Sequence, residues 1–171
     1  MVPIFLFFLL VQFKYNVYFA AFIFILAAST DSLDGYVARK RNEITNFGKF
    51  MDPLADKLLV TAALVGLVEM DKIPSVAAII IISRELVITG FRVLAASEGV
   101  VIAASWWGKI KTITQIVAIV ALLINNFPFS YIDFPFDIIT LYISVVITII
   151  SGVDYIYKNK TVLNFGEGGF K

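Results

Sequence analysis

The chain is 171 residues long, 60% hydrophobic, with sixteen phenylalanines and a mean hydropathy of +0.90, far from the balance of a soluble domain of that length. A net charge of +1 says little about partners, no basic cluster interleaved with aromatics suggests nucleic-acid binding, and zero cysteines exclude disulfides while leaving the compartment open. Composition predicts an all-α, polytopic integral membrane protein: at about twenty apolar residues per crossing, six transmembrane helices with short connections use up the chain, and residues 1–171 form a single membrane domain.

Residues 1 to 13 make the first hydrophobic stretch, ending before the polar Lys14 to Asn16. A dozen residues is short for a crossing, so the first of the six helices is expected to be short or truncated. The length also suits a signal peptide, but no positive lead precedes it and no clear cleavage site follows. The second stretch, from about Val17 through Ala28, passes into Ser29, Thr30 and the pair Asp31 and Asp34. Nothing breaks a helix there until after Arg39, so the charged residues are expected to extend that helix out of the bilayer. Residues 40 to 47 are the first strongly polar connection, and Gly48 with Asp52-Pro53 is expected to open a third helix, proline being tolerated in a first turn.

That helix is expected to run to about Val68, with Glu69, Asp71 and Lys72 in the next turn and a fourth span from about Pro74 to Ala96. The fourth span contains Arg84, Glu85 and Arg92. Ionisable residues inside an apolar span are expensive and point to function, with a structural ion pair as the alternative. Residues 97 to 109 read as a polar turn ending in Trp106, Trp107, Gly108 and Lys109, the tryptophans suited to the membrane interface. A fifth span is expected from about Ile110 to Ile124, a loop from Asn125 to Asp137, and a sixth span to about Val153, with Asp154, Lys158 and Lys160 in a polar tail.

The basic residues set the orientation. One side collects Arg39, Lys40, Arg41, Lys49, Lys109, Lys111, Lys158, Lys160 and Lys171; the other holds Lys14 and Lys72. The aspartate-rich side is therefore expected to face the cytoplasm, in a multi-pass protein of the cell membrane.

The chemistry concentrates in Asp31-x2-Asp34-Gly35-x2-Ala38-Arg39-x8-Gly48-x3-Asp52-x3-Asp56. Asp31 and Asp34 are three apart and Asp52 and Asp56 four apart, so each pair shares one face of a helix. Four carboxylates in one place repel each other and would take up protons unless cations hold them. With no histidine and no cysteine in the chain, an oxygen-only donor set favours magnesium, manganese or calcium over zinc, copper or haem iron. Two hard cations beside a phosphate are the parts of an in-line phosphoryl transfer.

This stretch resembles the signature of the CDP-alcohol phosphotransferase family at every fixed position. Two further strings, Ser83-Arg84-Glu85 with Thr89-Gly90-x-Arg92 and Gly108-Lys109-x-Lys111-Thr112, resemble the branch of that family that makes phosphatidylglycerophosphate. The resemblance implies transfer of a phosphatidyl group from CDP-diacylglycerol to glycerol 3-phosphate with release of CMP, in a homodimer among membrane lipids. It implies two ions, Mg2+ or Mn2+, held by Asp31, Asp34, Asp52 and Asp56, with Asp56 also the general base. Gly35, Ala38, Arg39 and Gly48 would contact the CDP-lipid; read alone, Gly35 serves equally well for close helix packing. Members of the family usually begin with an interfacial segment carrying Asn-x-x-Thr-x-x-Arg, which this sequence lacks, so the expectation is a natural chain that begins further upstream.

A phosphorylated acceptor needs cations. Arg84 and Arg92 are eight apart, sharing a helix face to within roughly 80°, and Lys109 and Lys111 sit near the same end, so these four are the candidate acceptor-phosphate residues, with snorkelling lysines as the plainer alternative. Glu85 either holds an arginine in place or is a salt-bridge partner alone. Two competing functions stay open: the same chemistry on another alcohol such as inositol phosphate, and a small cation channel or transporter, since carboxylates in membranes also line ion paths.

Overall fold

The structure, a computed structural model, describes residues 1–11, 14–41, 46–97, 102 and 105–159, with 31–41 and 46–56 described by backbone alone. Among them the chain forms six α-helices and no strand: α1 (Val2–Leu10), α2 (Asn16–Arg41), α3 (Asn46–Glu69), α4 (Ser75–Ser97), α5 (Trp106–Leu123) and α6 (Phe136–Lys158), with a short 3-10 turn at Phe129–Ile132. The nine residues of α1 span about 14 Å at 1.5 Å per residue, under half of a bilayer core about 30 Å thick. Among the described residues, α5 and α6 are long and apolar enough to cross a membrane.

The helices sort into two compact units, Met1–Ser75 with Ile119–Asp137, and Val76–Ala118 with Ile138–Lys171. In the first unit α1, α2 and α3 pack on one another. Phe5 of α1 and Phe24 of α2 are both fully buried with ring centroids 5.7 Å apart, a tilted pair that adds about 0.5–1.5 kcal/mol to the burial itself. Gly66 lets α3 approach α1 closely, because a Cβ there would overlap the buried Leu9 side chain. Small residues at such crossings let backbones come together where lipid offers no hydrophobic drive for association.

The ends of α3 and α5 are wound the same way. Asp71 and Asn125 both adopt the left-handed conformation, φ 56° and 53°, which short polar side chains tolerate best after glycine. After α3, Lys72 N donates to Leu67 O and Asp71 N to Val68 O; after α5, Asn126 N donates to Ala121 O and Asn125 N to Leu122 O. These are the paired bonds of a Schellman cap, which satisfy carbonyls the helix leaves over. Lys72 then joins the two ends, its Nζ donating to Leu122 O at 2.8 Å and Asn125 Oδ1 at 2.6 Å. A cation at the carbonyl end of a helix also complements the macrodipole. Asn126 in turn accepts from Asp137 N at 3.2 Å and donates to Phe134 O at 2.6 Å, fixing the start of α6 from outside it.

In the second unit Ile88, Phe91 and Ala95 of α4 form a core with Tyr155 of α6, and Ile102 packs against it. The burial pattern of α6 is inverted relative to a helix in water. Ser144, Thr148 and Ser151 are buried, while Tyr142, Val146, Ile149 and Val153 are exposed. Apolar surroundings favour that arrangement, since hydroxyls then belong inside and aliphatic chains outside.

Three expectations about boundaries change. Asp52-Pro53 does not open α3, which already begins at Asn46; Pro53 sits past the first turn, where its missing N–H leaves the Lys49 carbonyl without the usual donor. Trp106 to Lys109 belong to α5 rather than to a preceding turn, because the Ser105 hydroxyl accepts from Gly108 N at 3.1 Å, the bond of an N-cap. Asp154 and Lys158 lie within α6 rather than in a tail, since they pair four residues apart at 2.8 Å and the buried Tyr155 between them continues the packed face.

Burial pushes the Lys72 ammonium below the ordinary lysine value of 10.5, and the nearby Asp137 carboxylate restores part of the shift. In the alkaline window ending at 10.5 the unfolded chain keeps a proton that the folded chain has begun to release, so the Lys72 contribution to stability rises with pH there and is flat below it. Lys72→Met should remove this contribution: thermal midpoints in detergent, read from pH 7 upward, should climb less steeply in alkali for the variant than for the wild type, and parallel curves would assign the alkaline dependence to other groups.

Candidate active site

The two aspartate pairs fall on two packed helices. Asp31, Asp34, Gly35, Ala38 and Arg39 lie in the second half of α2, and Gly48, Asp52 and Asp56 in the first half of α3. Both segments are helical throughout, so the three-residue and four-residue spacings do place each pair on one helix face, and α2 packs against α3. The side chains of these eight residues lie outside the described residues. Among the described side chains no group of three His, Cys, Asp or Glu comes together. The side chains expected to hold metal on α2 and α3 are four carboxylates, a chemistry that would suit a hard divalent cation better than zinc or copper.

The candidate acceptor residues lie in the second unit and divide into two kinds. Arg84 and Lys111 are covered and share one counter-ion. Arg84 Nη1 donates to Glu85 Oε1 at 3.3 Å and Nη2 to Ser151 Oγ at 2.6 Å, while Lys111 Nζ pairs with the same Glu85 oxygen. Lys111 is only 4% exposed, and the Arg84 and Glu85 side chains 14% and 16%. Gly152 provides the room, since a Cβ there would lie 3.2 Å from Arg84 Cγ. Among the described residues, the cluster sets two cations on one carboxylate.

Arg92 and Lys109 are exposed instead. Arg92 Nε donates to the Tyr155 hydroxyl at 3.2 Å, and its guanidinium carbon lies 6.0 Å from the Tyr155 ring centroid. Lys109 Nζ stands 5.8 Å from the Trp106 ring centroid, within reach of a cation–π attraction. Glu85 thus gathers Arg84 and Lys111, and two α6 residues, Ser151 and Tyr155, hold Arg84 and Arg92.

Neither Ser151 nor Tyr155 stands out in a reading by charge, because both look like ordinary members of a span. The available signal is their period: Ser144, Thr148, Ser151 and Tyr155 recur at steps of four, three and four, which draws a hydroxyl stripe along one face of an otherwise aliphatic helix. Lys111 and Gln115, four apart and both buried, draw a shorter one on α5.

Comparison with known proteins covers most of the chain. The CDP-alcohol phosphatidyltransferase family matches residues 1–150. A protein of Bacillus subtilis (strain 168), named CDP-diacylglycerol–glycerol-3-phosphate 3-phosphatidyltransferase, is 53% identical over 139 residues, covering 81% of this chain and 72% of its own length. A Haemophilus influenzae protein of the same name is 41% identical over 166 residues, covering 94% of this chain and 87% of its own. One from Rickettsia typhi is 38% identical over 143 residues, with coverage of 82% and 80%.

Removing one partner of a mostly buried ion cluster leaves charge without compensation, a loss of about 3–5 kcal/mol. Glu85→Gln should therefore lower the thermal midpoint in detergent clearly, and adding Lys111→Met should recover part of it by removing one of the stranded charges. An unchanged midpoint in the single variant would show that Glu85 does not hold the cluster together.

Proposed function

Since the chain belongs to the CDP-alcohol phosphatidyltransferase family, we propose that it transfers the phosphatidyl group of CDP-diacylglycerol to glycerol 3-phosphate, giving phosphatidylglycerophosphate and CMP. The observation that carries this is the extent of the family match, which runs over residues 1–150 and so takes in both aspartate pairs and the α4 arginines. The relatives named for the same donor and acceptor supply the acceptor's identity.

In this reading Asp31, Asp34, Asp52 and Asp56 hold two Mg2+ or Mn2+ ions. When bound, these ions would neutralise charge on the pyrophosphate and favour departure of CMP. Asp56 takes the proton of the acceptor hydroxyl, whose oxygen forms a bond to the lipid-side phosphorus as the bond from that phosphorus to CMP breaks. A carboxylate serves as base here by position rather than by high pKa. Arg39 offers a planar fork of donors to phosphate oxygens, which lysine cannot copy, and Gly35, Ala38 and Gly48 leave space along the CDP group.

Arg92 and Lys109, exposed, meet the phosphate of glycerol 3-phosphate, with the covered Arg84 and Lys111 adding positive potential. All six helices belong to the membrane in this proposal. α2, α3 and α4 have 26, 24 and 23 residues, which at about 1.5 Å per residue match a bilayer core about 30 Å thick in length, and α1 is a short first segment. The proposal is completed by a plasma-membrane location, a site facing the cytoplasm as the distribution of lysine and arginine suggests, residues 1–171 acting as one catalytic domain, and a homodimeric assembly.

Two measurements test the reading. Purified protein in detergent, given CDP-diacylglycerol, glycerol 3-phosphate and Mg2+ or Mn2+, should release CMP; a chelator should abolish release, and Asp56→Asn should lose nearly all turnover with its thermal midpoint kept. Release only with inositol phosphate would move the acceptor, and ion flux through liposomes without CMP would replace the enzyme with a channel. Arg92→Ala should raise KM for glycerol 3-phosphate by about tenfold or more, as expected from losing a charge-assisted bond, and leave KM for CDP-diacylglycerol within twofold.

A further inference from the structure

The two arginines of α4 are eight residues apart, about 12 Å along the helix, while the hydroxyls that hold them, Ser151 and Tyr155, are four apart on α6, about 6 Å. Guanidinium groups that start two turns apart are thus held by anchors one turn apart. The two anchorages differ in what they leave over. Arg84 uses both terminal nitrogens, one on Glu85 and one on Ser151, and is mostly covered. Arg92, an exposed residue, is tied to Tyr155 through Nε, the nitrogen nearest its stem, so among the described contacts its two terminal nitrogens keep the edge that matches a phosphate.

Tyr155 is itself held firmly. It is 3% exposed, packs with Ile88, Phe91 and Ala95, and meets the Phe91 ring edge-to-face with centroids 6.0 Å apart. A hydroxyl on a ring fixed in this way is a rigid acceptor. The arginine side chain has about 2 kcal/mol of rotamer entropy to lose when it is ordered, and a bond at Nε removes part of that freedom before any ligand arrives. Preorganisation of this kind raises affinity without adding a contact to the ligand.

We propose that Tyr155 is a positioning residue for acceptor recognition: its buried hydroxyl aims Arg92 so that the terminal nitrogens meet the acceptor phosphate as a fork. This rests on the reading of Arg92 given under the proposed function. Tyr155 does not touch the acceptor, and its effect passes through Arg92 alone.

The test is a double-mutant cycle of Tyr155→Phe and Arg92→Ala, with Tyr142→Phe, an exposed tyrosine on the same helix, as control. Tyr155→Phe keeps the ring and removes the hydroxyl. It should raise KM for glycerol 3-phosphate roughly three- to tenfold, the worth of one hydrogen bond, with kcat, KM for CDP-diacylglycerol and thermal midpoint close to wild type. In the Arg92→Ala background it should add less than about twofold, because nothing remains to be aimed. The control should change none of these constants. The same rise in both backgrounds, a parallel rise for the donor, or no rise at all would overturn the assignment. Turnover of glycerol 3-phosphate by the wild type tests the acceptor reading separately, and inositol phosphate, run through the same four proteins, tests the Tyr155 role even where glycerol 3-phosphate gives no turnover.

Discussion

Glu85 receives Arg84 and Lys111 on one carboxylate oxygen, and the arrangement of the second unit follows from that shared bond. Charges removed from water are tolerated only when they are paired and hydrogen-bonded, so one acidic residue between two basic ones fixes α4 and α5 at that level, and Ser151 brings α6 to the same place. The first unit meets the same constraint at Lys72. Lys72 reaches the carbonyl end of α5 and the Asn125 side chain, and the polar atoms at the ends of α3, α5 and α6 are joined through Lys72, Asn125 and Asn126 instead of being left to solvent.

The inverted pattern of α6 connects this constraint to function. A span needs only apolar residues to cross, yet α6 places four hydroxyl-bearing residues on one buried face. Two of them hold arginines. A helix that looks like a plain anchor therefore supplies the groups that orient the cations of α4, and the division between covered charges (Arg84, Lys111) and exposed ones (Arg92, Lys109) separates those that set local potential from those able to meet a ligand. In the proposed reaction the aspartates of α2 and α3 serve the donor, while the cations of α4 and α5 serve the acceptor.

Much of this can be read from residue order. The composition leads to an all-helical chain, and the positions of Pro74, Asn125 and Asn126 mark breaks that the structure keeps. The continuity of α2 from Asn16 through Arg41 follows from a stretch with no breaker before the aspartates. The boundaries that moved each depend on a local bond that propensity ranks too low: the Ser105 cap starts α5 four residues earlier than apolar content suggests, and the pair Asp154 with Lys158 carries α6 past its last aliphatic turn. Pro53 within α3 is the opposite case, a proline read as a start signal that the helix takes into its interior.

By itself the sequence determined the pairing of the aspartates, because the spacings of Asp31, Asp34, Asp52 and Asp56 are local and a helix turns them into shared faces without help from the rest of the fold. It also supplied the basic residues proposed for an acceptor. Only the tertiary structure decided how those residues divide, since whether an arginine is covered or exposed depends on what α5 and α6 bring against it. Glu85 lies one residue from Arg84 but twenty-six from Lys111, and Tyr155 lies sixty-three from Arg92; no periodicity within one helix encodes contacts at such separations.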